Sequence, residues 1–241
     1  MAADLDEMFE RLEWCRSECE CIQREFDKFS ESRPYSISEL SNFALARPTK
    51  QIIVTATKQL PKGISIRIGT TTNEIRSILD ALASALAVRN GKTANGVHFP
   101  IAKDENDFDT DARIKDKIRK ISLADQAIIR SLKPWPQGND LLCALHQLDV
   151  TRKHTRLAVL ASVPSRLSIQ NGRITGTMFP TGERDILKGA IIAHLTFDSS
   201  IVFDLDLGLA FSEPPFLAGK DAVTVLRSFI GEVDAALKIF N

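Results

Sequence analysis

The stretch LLCALHQLDVTRKHTRLAVL, residues 141–160, combines the apolar pattern of a core helix with a series of charged side chains. At about 100° per residue, the winding that places four leucines on one side of a helix also brings Asp149, Arg152 and Arg156 onto that side. His146 and Lys153 lie at the edge of this stripe. The leucines of the stripe are Leu141, Leu142, Leu145 and Leu148.

Charged groups on the buried side of a helix need partners or solvent, because burying an unpaired charge costs several kcal/mol. Asp149 has basic side chains three, four and seven positions later, which makes it the natural centre of an ion-pair network. One interpretation is an internal network that fixes how the helix packs. The other is an anion-binding or acid/base pocket built on His146, Asp149, Lys153, His154 and Arg156.

Beyond residue 157 the periodicity changes from helical to β-type, and this change decides the fold class. Asn171-Gly172 predicts a two-residue hairpin turn, and the DSS run at 198–200 predicts another. Alternation over residues 201–210 predicts a sheet with one solvated face. The β-type runs are LAVLASV, SRLSIQ, RITGTMF, GAIIAHLTF and IVFDLDLGLAF.

The N-terminal segment, residues 4–29, carries an apolar heptad stripe that predicts a long helix in need of a helical partner. That partner is either the chain's own helices or a second copy, which would make a homodimer. Cys15 and Cys19 lie on the stripe, so we expect small core residues rather than disulfides or metal ligands. The stripe consists of Leu5, Met8, Leu12, Cys15, Cys19, Ile22, Phe26 and Phe29.

The next segments predict a connection, a hairpin and a second helix. Residues 30–50 are polar and bounded by prolines, and we expect a loop with room for a short helix. QIIVTATK and ISIRIG, joined by QLPKG at 59–63, predict a β-hairpin. TTNE at 71–74 has the pattern of a capping box and predicts a helix over 72–90 that ends at Asn90-Gly91.

Arg76 and Asp80 lie beside the apolar stripe of this second helix, on a narrower surface that also carries small alanines. Small residues let another helix approach closely, so we expect the 141–160 helix to pack there. Arg76 and Asp80 can then pair with each other or with charges on that helix. They complete the candidate ligand-binding set.

The sequence between the 72–90 helix and the 141–160 helix predicts short helices, a loop and an extended or strand segment. VHFPIA at 97–102 reads as a short strand or extended segment, and DENDFDTD at 104–111 as an acidic loop. The loop has Ala112 and Ile118 where a calcium loop has glycine and glutamate, so no metal is predicted. Residues 112–121 and 123–132 read as short helices, Asn139 or Asp140 as a helix cap, and 220–240 as an amphipathic C-terminal helix.

Composition and charge exclude several classes of function. The chain has 31 basic and 31 acidic residues, so it lacks the positive field that drives non-specific binding to nucleic acid, and nucleic acid is not an expected partner. No apolar run approaches the roughly 18 residues of a membrane span, and the N-terminus is acidic, so we expect a cytoplasmic protein without a membrane partner. Glycine-rich phosphate loops and the G-x-S-x-G and H-E-x-x-H motifs are absent, and no cofactor is predicted.

Three motifs within residues 64–160 resemble a group of bacterial proteins of uncharacterised function. They are the helix RSILDALASALAVRNG, the FPIAKDE and SLKPW segments, and the helix quoted above, with Lys153 and His154 in its K-H pattern. The resemblance implies a bacterial source and a shared fold. Ala81 stands where the group has histidine, which puts any role of that histidine in doubt here.

Together these patterns predict a single α+β domain over residues 1–241, with a helical unit packed on a mostly antiparallel sheet. Its segments are 1–50, 51–156 and 157–241. We expect the chain to bind an anionic small ligand or a protein partner through the polar cluster of the 141–160 helix. The alternative is a metal-independent ribonuclease, in which a histidine and an arginine would handle the proton and the phosphate charge.

Overall fold

The computed structural model describes residues 5–42, 49–154, 159–167, 174–177, 189–196, 205–211 and 216–241. The fold is α+β, as predicted, and every described strand pairing is antiparallel. The chain divides into two compact units. The first contains Met1–Cys21, Ile66–Leu157 and Val223–Asn241, and the second contains Ile22–Ser65 and Ala158–Ala222.

The described helices lie close to where the sequence predicts them, with two exceptions discussed below. They are α1 (Asp6–Glu31), α2 (Lys62–Arg89), α3 (Glu105–Thr110), α4 (Ala112–Ile118), α5 (Leu123–Ser131), α6 (Asp140–His154) and α7 (Ala222–Phe240). The described strands are β1 (Tyr35–Asn42), β2 (Thr49–Ala56), β3 (Val159–Leu167), β4 (Ile174–Thr177), β5 (Ala190–Thr196) and β6 (Leu205–Phe211).

The apolar stripe of α1 is buried within the chain itself, from Leu5 to Phe26. Cys15 and Cys19 are buried free thiols, and burial raises their pKa values to about 12 and about 11. Both thiols therefore stay protonated at neutral pH, as expected of small core residues. In the first unit, Arg11 and Arg16 connect α1 to neighbouring helices through ion pairs.

The beginning of α2 corrects two predictions. The helix starts at Lys62, so ISIRIG is helical and the hairpin with QIIVTATK does not form. Thr71 consequently lies in the middle of a helix and does not cap one. The predicted end is confirmed, because α2 stops at Arg89 and Gly91 adopts a φ of +70°. Glycine reaches this left-handed conformation without the strain that a Cβ would add.

The acidic stretch after residue 103 is helical and not a loop, because its aspartates act as helix caps. The Asp104 side chain accepts from the Asp107 N–H at the start of α3, and Asp111 does the same for Arg113 at the start of α4. Helices α4 and α5 confirm the two predicted short helices. Residues 97–102 contain no strand, and Phe99 within this segment is fully buried.

The chain enters α6 through a tight turn around Trp135, which is buried against Phe108. A Cβ at Gly138 would approach the carbonyl oxygen of Lys133 to 2.7 Å, so the turn needs glycine there. The Asn139 side chain then accepts from the Leu142 N–H and caps α6, as predicted. This cap fixes the start of the helix that carries the candidate site.

The C-terminal helix α7 matches its predicted amphipathic pattern. Every member of the predicted stripe is buried, because the steps of three and four keep the apolar residues on one side. Asn139 donates to Glu232, and Arg89 donates to the carbonyl oxygen of Phe240, so α7 is tied to other parts of the first unit. The buried stripe consists of Val223, Leu226, Phe229, Ile230, Val233, Leu237 and Phe240.

The second unit contains a four-stranded sheet of order β1-β2-β5-β4 and a two-stranded sheet of β3 and β6. Strand β1 occupies a segment predicted as a loop with a short helix, and it pairs with β2 from Tyr35 opposite Ala56 to Asn42 opposite Thr49. The core of this unit is formed by Ile52, Val54, Ala190, Ile192, Ala193 and Leu195.

The pairings implied by the two hairpin turns predicted after residue 157 are not observed among the described strands. Strand β4 pairs with β5 and not with β3, while β3 pairs with β6. The two predicted turns, at Asn171-Gly172 and at residues 198–200, lie outside the described residues. Leu209, Ala210 and Phe211 are all buried, so the end of β6 is covered on both faces and the expected solvated face is wrong there.

None of the described helices is long and apolar enough to cross a membrane.

Candidate functional site

The centre of the candidate site is Arg76, a buried arginine on α2. Its guanidinium reaches three elements at once. Nη1 donates to Asp80 Oδ1 at 2.9 Å, Nη2 donates to the carbonyl oxygen of Phe99 at 3.0 Å, and Nε donates to His146 Nδ1 at 3.4 Å. A planar guanidinium suits this role, because its N–H groups point in fixed directions. Arg76 therefore joins α2, α6 and the 97–102 segment.

Asp80 lies one turn after Arg76, as the sequence predicted for a pair spaced by four residues. Its Oδ1 also accepts from the backbone N–H of Phe99 at 2.9 Å, so the same oxygen receives two donors. Its Oδ2 lies 3.8 Å from Nδ1 of His98. The carboxylate thus neutralises Arg76 and lies near a second histidine.

His146 on α6 is neutral at physiological pH. Its pKa is lowered from 6.5 to about 4, first by burial and then by the positive charges of Arg76 and Lys117. Asp149 and Asp80 oppose this shift but do not outweigh it. Because Nδ1 accepts from Arg76, the proton of the neutral ring must lie on Nε2. His146 is therefore a hydrogen-bond donor whose Nε2 has no partner among the described residues.

Asp149 is almost completely buried, as expected from its place on the apolar side of α6. Its Oδ1 accepts from Nδ2 of Asn73 at 2.9 Å. This contact adds a second polar link between α2 and α6. The expected packing of the 141–160 helix against the Arg76–Asp80 surface is therefore confirmed.

The four remaining predicted site residues cannot be placed as side chains. Arg152, Lys153 and His154 belong to α6, but their side chains lie outside the described part of the chain, and so does Arg156 as a whole. Of the predicted set, the structure brings together Arg76, Asp80, His146 and Asp149. The ion-pair network centred on Asp149 stays a prediction.

Three residues at the site were missed by sequence reasoning. The sequence pattern places Asn73 in a capping box and Lys117 in a short helix. His98 had a usable signal, because it alternates with the buried Val97 and Phe99 and so must point outward. Its backbone N–H donates to the carbonyl oxygen of Lys117, which places α4 beside the 97–102 segment.

Donors without a partner among the described residues lie beside a neutralised centre. The positive charge of Arg76 is balanced by Asp80, whereas Lys117 forms no ion pair with any carboxylate in the described part of the chain. The residues able to contact a ligand are thus the Nε2–H of His146, the ammonium of Lys117 and the ring of His98. Within the described ranges, no group of three histidine, cysteine or acidic side chains is placed to hold a metal ion.

No protein-family model matches the chain, and no curated protein and no solved structure matches it. The resemblance to the bacterial group described above therefore stays a prediction, and the site must be interpreted from its own chemistry.

Proposed function

We propose that the chain binds an anionic small molecule where α2, α4, α6 and the 97–102 segment meet. The observation that carries the proposal is His146, a half-buried histidine held neutral between two cations with its Nε2–H unpartnered among the described residues. A bound anion would accept from this N–H and pair with Lys117. Charge-assisted hydrogen bonds of this kind are about twice as strong as neutral ones.

The geometry at His146 favours binding over the alternative of a metal-independent ribonuclease. A histidine that acts as general base needs a free lone pair, but Arg76 donates to the only unprotonated nitrogen of His146. This contact fixes His146 as a donor. The same contact supports anion binding, because it holds the N–H in one orientation before a ligand arrives.

Calorimetric titration with inorganic phosphate, AMP and succinate tests the proposal. We expect saturable binding of at least one anion, and Lys117→Met should weaken it about tenfold, since a lost charge-assisted contact is worth about 1.4 kcal/mol or more. Lys115→Met, on an exposed side chain of the same helix, is the matched control and should leave binding unchanged.

Two results would overturn the proposal. One is that none of the three anions binds to the parent protein. The other is that Lys115→Met and Lys117→Met weaken binding equally, which would mean that the anion responds to general charge and not to this site. A protein partner, the other expectation from the sequence, would then be the function to pursue.

A further inference from the structure

Strand β1 forms an exposed edge of the four-stranded sheet. Among the described strands β2 is its one neighbour, and every residue from 36 to 41 is exposed. Strand β2 has a neighbour on each side, and none of its residues from 50 to 56 is exposed. The exposure of β1 is therefore that of a strand with one side unpaired.

The register shows which backbone groups lie on this edge. The carbonyl oxygen of Pro34 accepts from the N–H of Thr57, and the pairing of β1 with β2 continues from there without a shift. Backbone groups alternate between the two sides of an antiparallel strand, so Ile37, Glu39 and Ser41 direct their N–H and C=O groups away from β2. Such a row of backbone groups is a template for another strand.

Strand β1 lacks the features that keep an edge from pairing with another chain. Protected edges are short or irregular, or they carry lysine or proline. The opposite edge, β4, fits this description, because it has four residues and a register shift between Ile174 and Gly176. Strand β1 has eight residues without lysine or proline, and its one charged side chain, Glu39, faces Lys50 of β2 at 3.6 Å. A second β1 would therefore meet no uncompensated charge.

Strand β1 is also complementary to itself. Side chains alternate along a strand, so Ile37 shares with Tyr35 the face that packs against the core of the sheet. Ile37 lies opposite the buried Val54 and is nevertheless 38% exposed. An antiparallel second copy centred on Ile37 would cover it with the partner's Ile37, whereas centring on Glu39 would place two carboxylates opposite each other.

We propose that two copies of the chain associate through β1, antiparallel and centred on Ile37, and so join their sheets into one. The backbone groups of Ile37 exchange hydrogen bonds with those of the partner's Ile37, and Glu39 lies opposite the partner's Tyr35. The same surface is used by both copies, so the assembly closes as a dimer. The dimer does not depend on the proposed anion site, which lies on other elements.

Opposite charges at position 37 test this pairing. Light scattering over a dilution series should show that the parent chain dimerises with a Kd below about 0.1 mM. Ile37→Lys and Ile37→Glu should each weaken the dimer about tenfold or more, because like charges then face each other across the two-fold axis. An equal mixture of the two variants should restore it, since lysine then faces glutamate. Ile66→Lys, at an exposed isoleucine of α2, is the matched control and should leave the Kd unchanged.

Glu39→Pro tests the same edge without a new charge. It removes an N–H that points away from β2, and proline is tolerated at such positions of an edge strand. We expect a weaker dimer and a circular dichroism melting curve close to that of the parent.

Three results would overturn the proposal. The first is a parent chain that stays monomeric up to about 0.1 mM, which would leave this edge to a strand of another protein. The second is a dimer whose Kd is unchanged in Glu39→Pro and in both charge variants. The third is a mixture of Ile37→Lys and Ile37→Glu that associates no more strongly than either variant alone.

Discussion

The protonation state of His146 is determined by its burial and by the charges around it. Burial and two nearby cations disfavour its charged form, and Arg76 uses the lone pair that a proton would need. In the unfolded chain neither effect operates. The folded state therefore binds a proton at His146 only at a much lower pH than the unfolded state does.

This difference predicts a loss of stability in mild acid. The unfolded chain takes up the His146 proton near pH 6.5, whereas the folded chain resists it down to about 4, so the free energy of unfolding should fall as pH drops through this window. For a half-buried ring we expect about 2 kcal/mol, which is less than the full shift would give. His146→Gln should remove this part of the pH dependence, measured by urea unfolding at several pH values.

The control for this prediction is Gln147→Ala, because Gln147 is the exposed neighbour of His146 on α6 and does not titrate. It should leave the pH dependence of unfolding close to that of the parent protein. If His146→Gln and the parent protein lose the same stability between pH 6.5 and 4, His146 is not held neutral by the fold, and the donor assignment at its Nε2 is wrong.

Only part of the site follows from local spacing. Arg76 and Asp80 are one turn apart on a helix, so their pairing could be predicted. Asp149 could be predicted as buried because it lies on the apolar side of α6. The positions of His98 and Lys117 depend on how the 97–118 region folds against the helices. They could not be predicted from the spacing of residues along one helix or strand.

At the scale of the helix, α2 contains two adjacent buried threonines with different surroundings. The Thr72 hydroxyl donates to the carbonyl oxygen of Ile68 at 2.9 Å. The Thr71 hydroxyl is equally buried but has no hydrogen-bond partner among the described residues. A buried hydroxyl without a partner costs free energy, whereas a methyl group of the same size does not.

The two threonines therefore predict opposite effects of the same substitution. Thr71→Val should raise the free energy of unfolding by about 1 kcal/mol, because it replaces an unpaired hydroxyl with a methyl group. Thr72→Val breaks a hydrogen bond and should lower stability or leave it unchanged. Thermal unfolding of the two variants side by side measures the difference, and a Thr71→Val protein less stable than Thr72→Val would contradict the prediction.

The start of α2 shows why its sequence was misread as a strand. In ISIRIG the isoleucines alternate, and a strand would place Ile64, Ile66 and Ile68 on one face. A helix instead places Ile64 and Ile68 together, four residues apart, and turns Ile66 away. The structure buries Ile64 and Ile68 completely and leaves Ile66 67% exposed, as a helix requires. The sequence ISIRIG fits both a strand and a helix, and the packing of these isoleucines decides in favour of the helix.

Strand β1 was missed for a different reason. Residues 36–41 are exposed, and the strand has one described partner, β2. A strand that buries few of its side chains carries little apolar signal, and the sequence YSISELSN is rich in serine. By contrast, α7 was predicted correctly because it buries a complete stripe and its period is therefore visible in the sequence.

At the scale of the whole molecule, the apolar stripe of α1 bears on whether two copies associate. The sequence left two partners open for this stripe, the chain's own core or a second copy. In the structure Leu12 is fully buried within one chain, and Phe29 at the end of the stripe is half-buried. The stripe is therefore already covered, and the exposed aromatic residue of α1 is Trp14, on another side of the helix.

Substitution of Leu12 by glutamate separates the two roles. If the stripe belongs to the core, Leu12→Glu places a charge where no water reaches and should cost more than about 3 kcal/mol, enough to unfold much of the protein. Trp14→Glu, two residues away, should leave the protein folded, since its side chain is 45% exposed. Circular dichroism melting reports the folding of each variant, and light scattering reports its mass. A Leu12→Glu protein that melts like the parent but has half its mass would mean that the stripe joins two chains, because a core position does not accept a carboxylate without loss of stability.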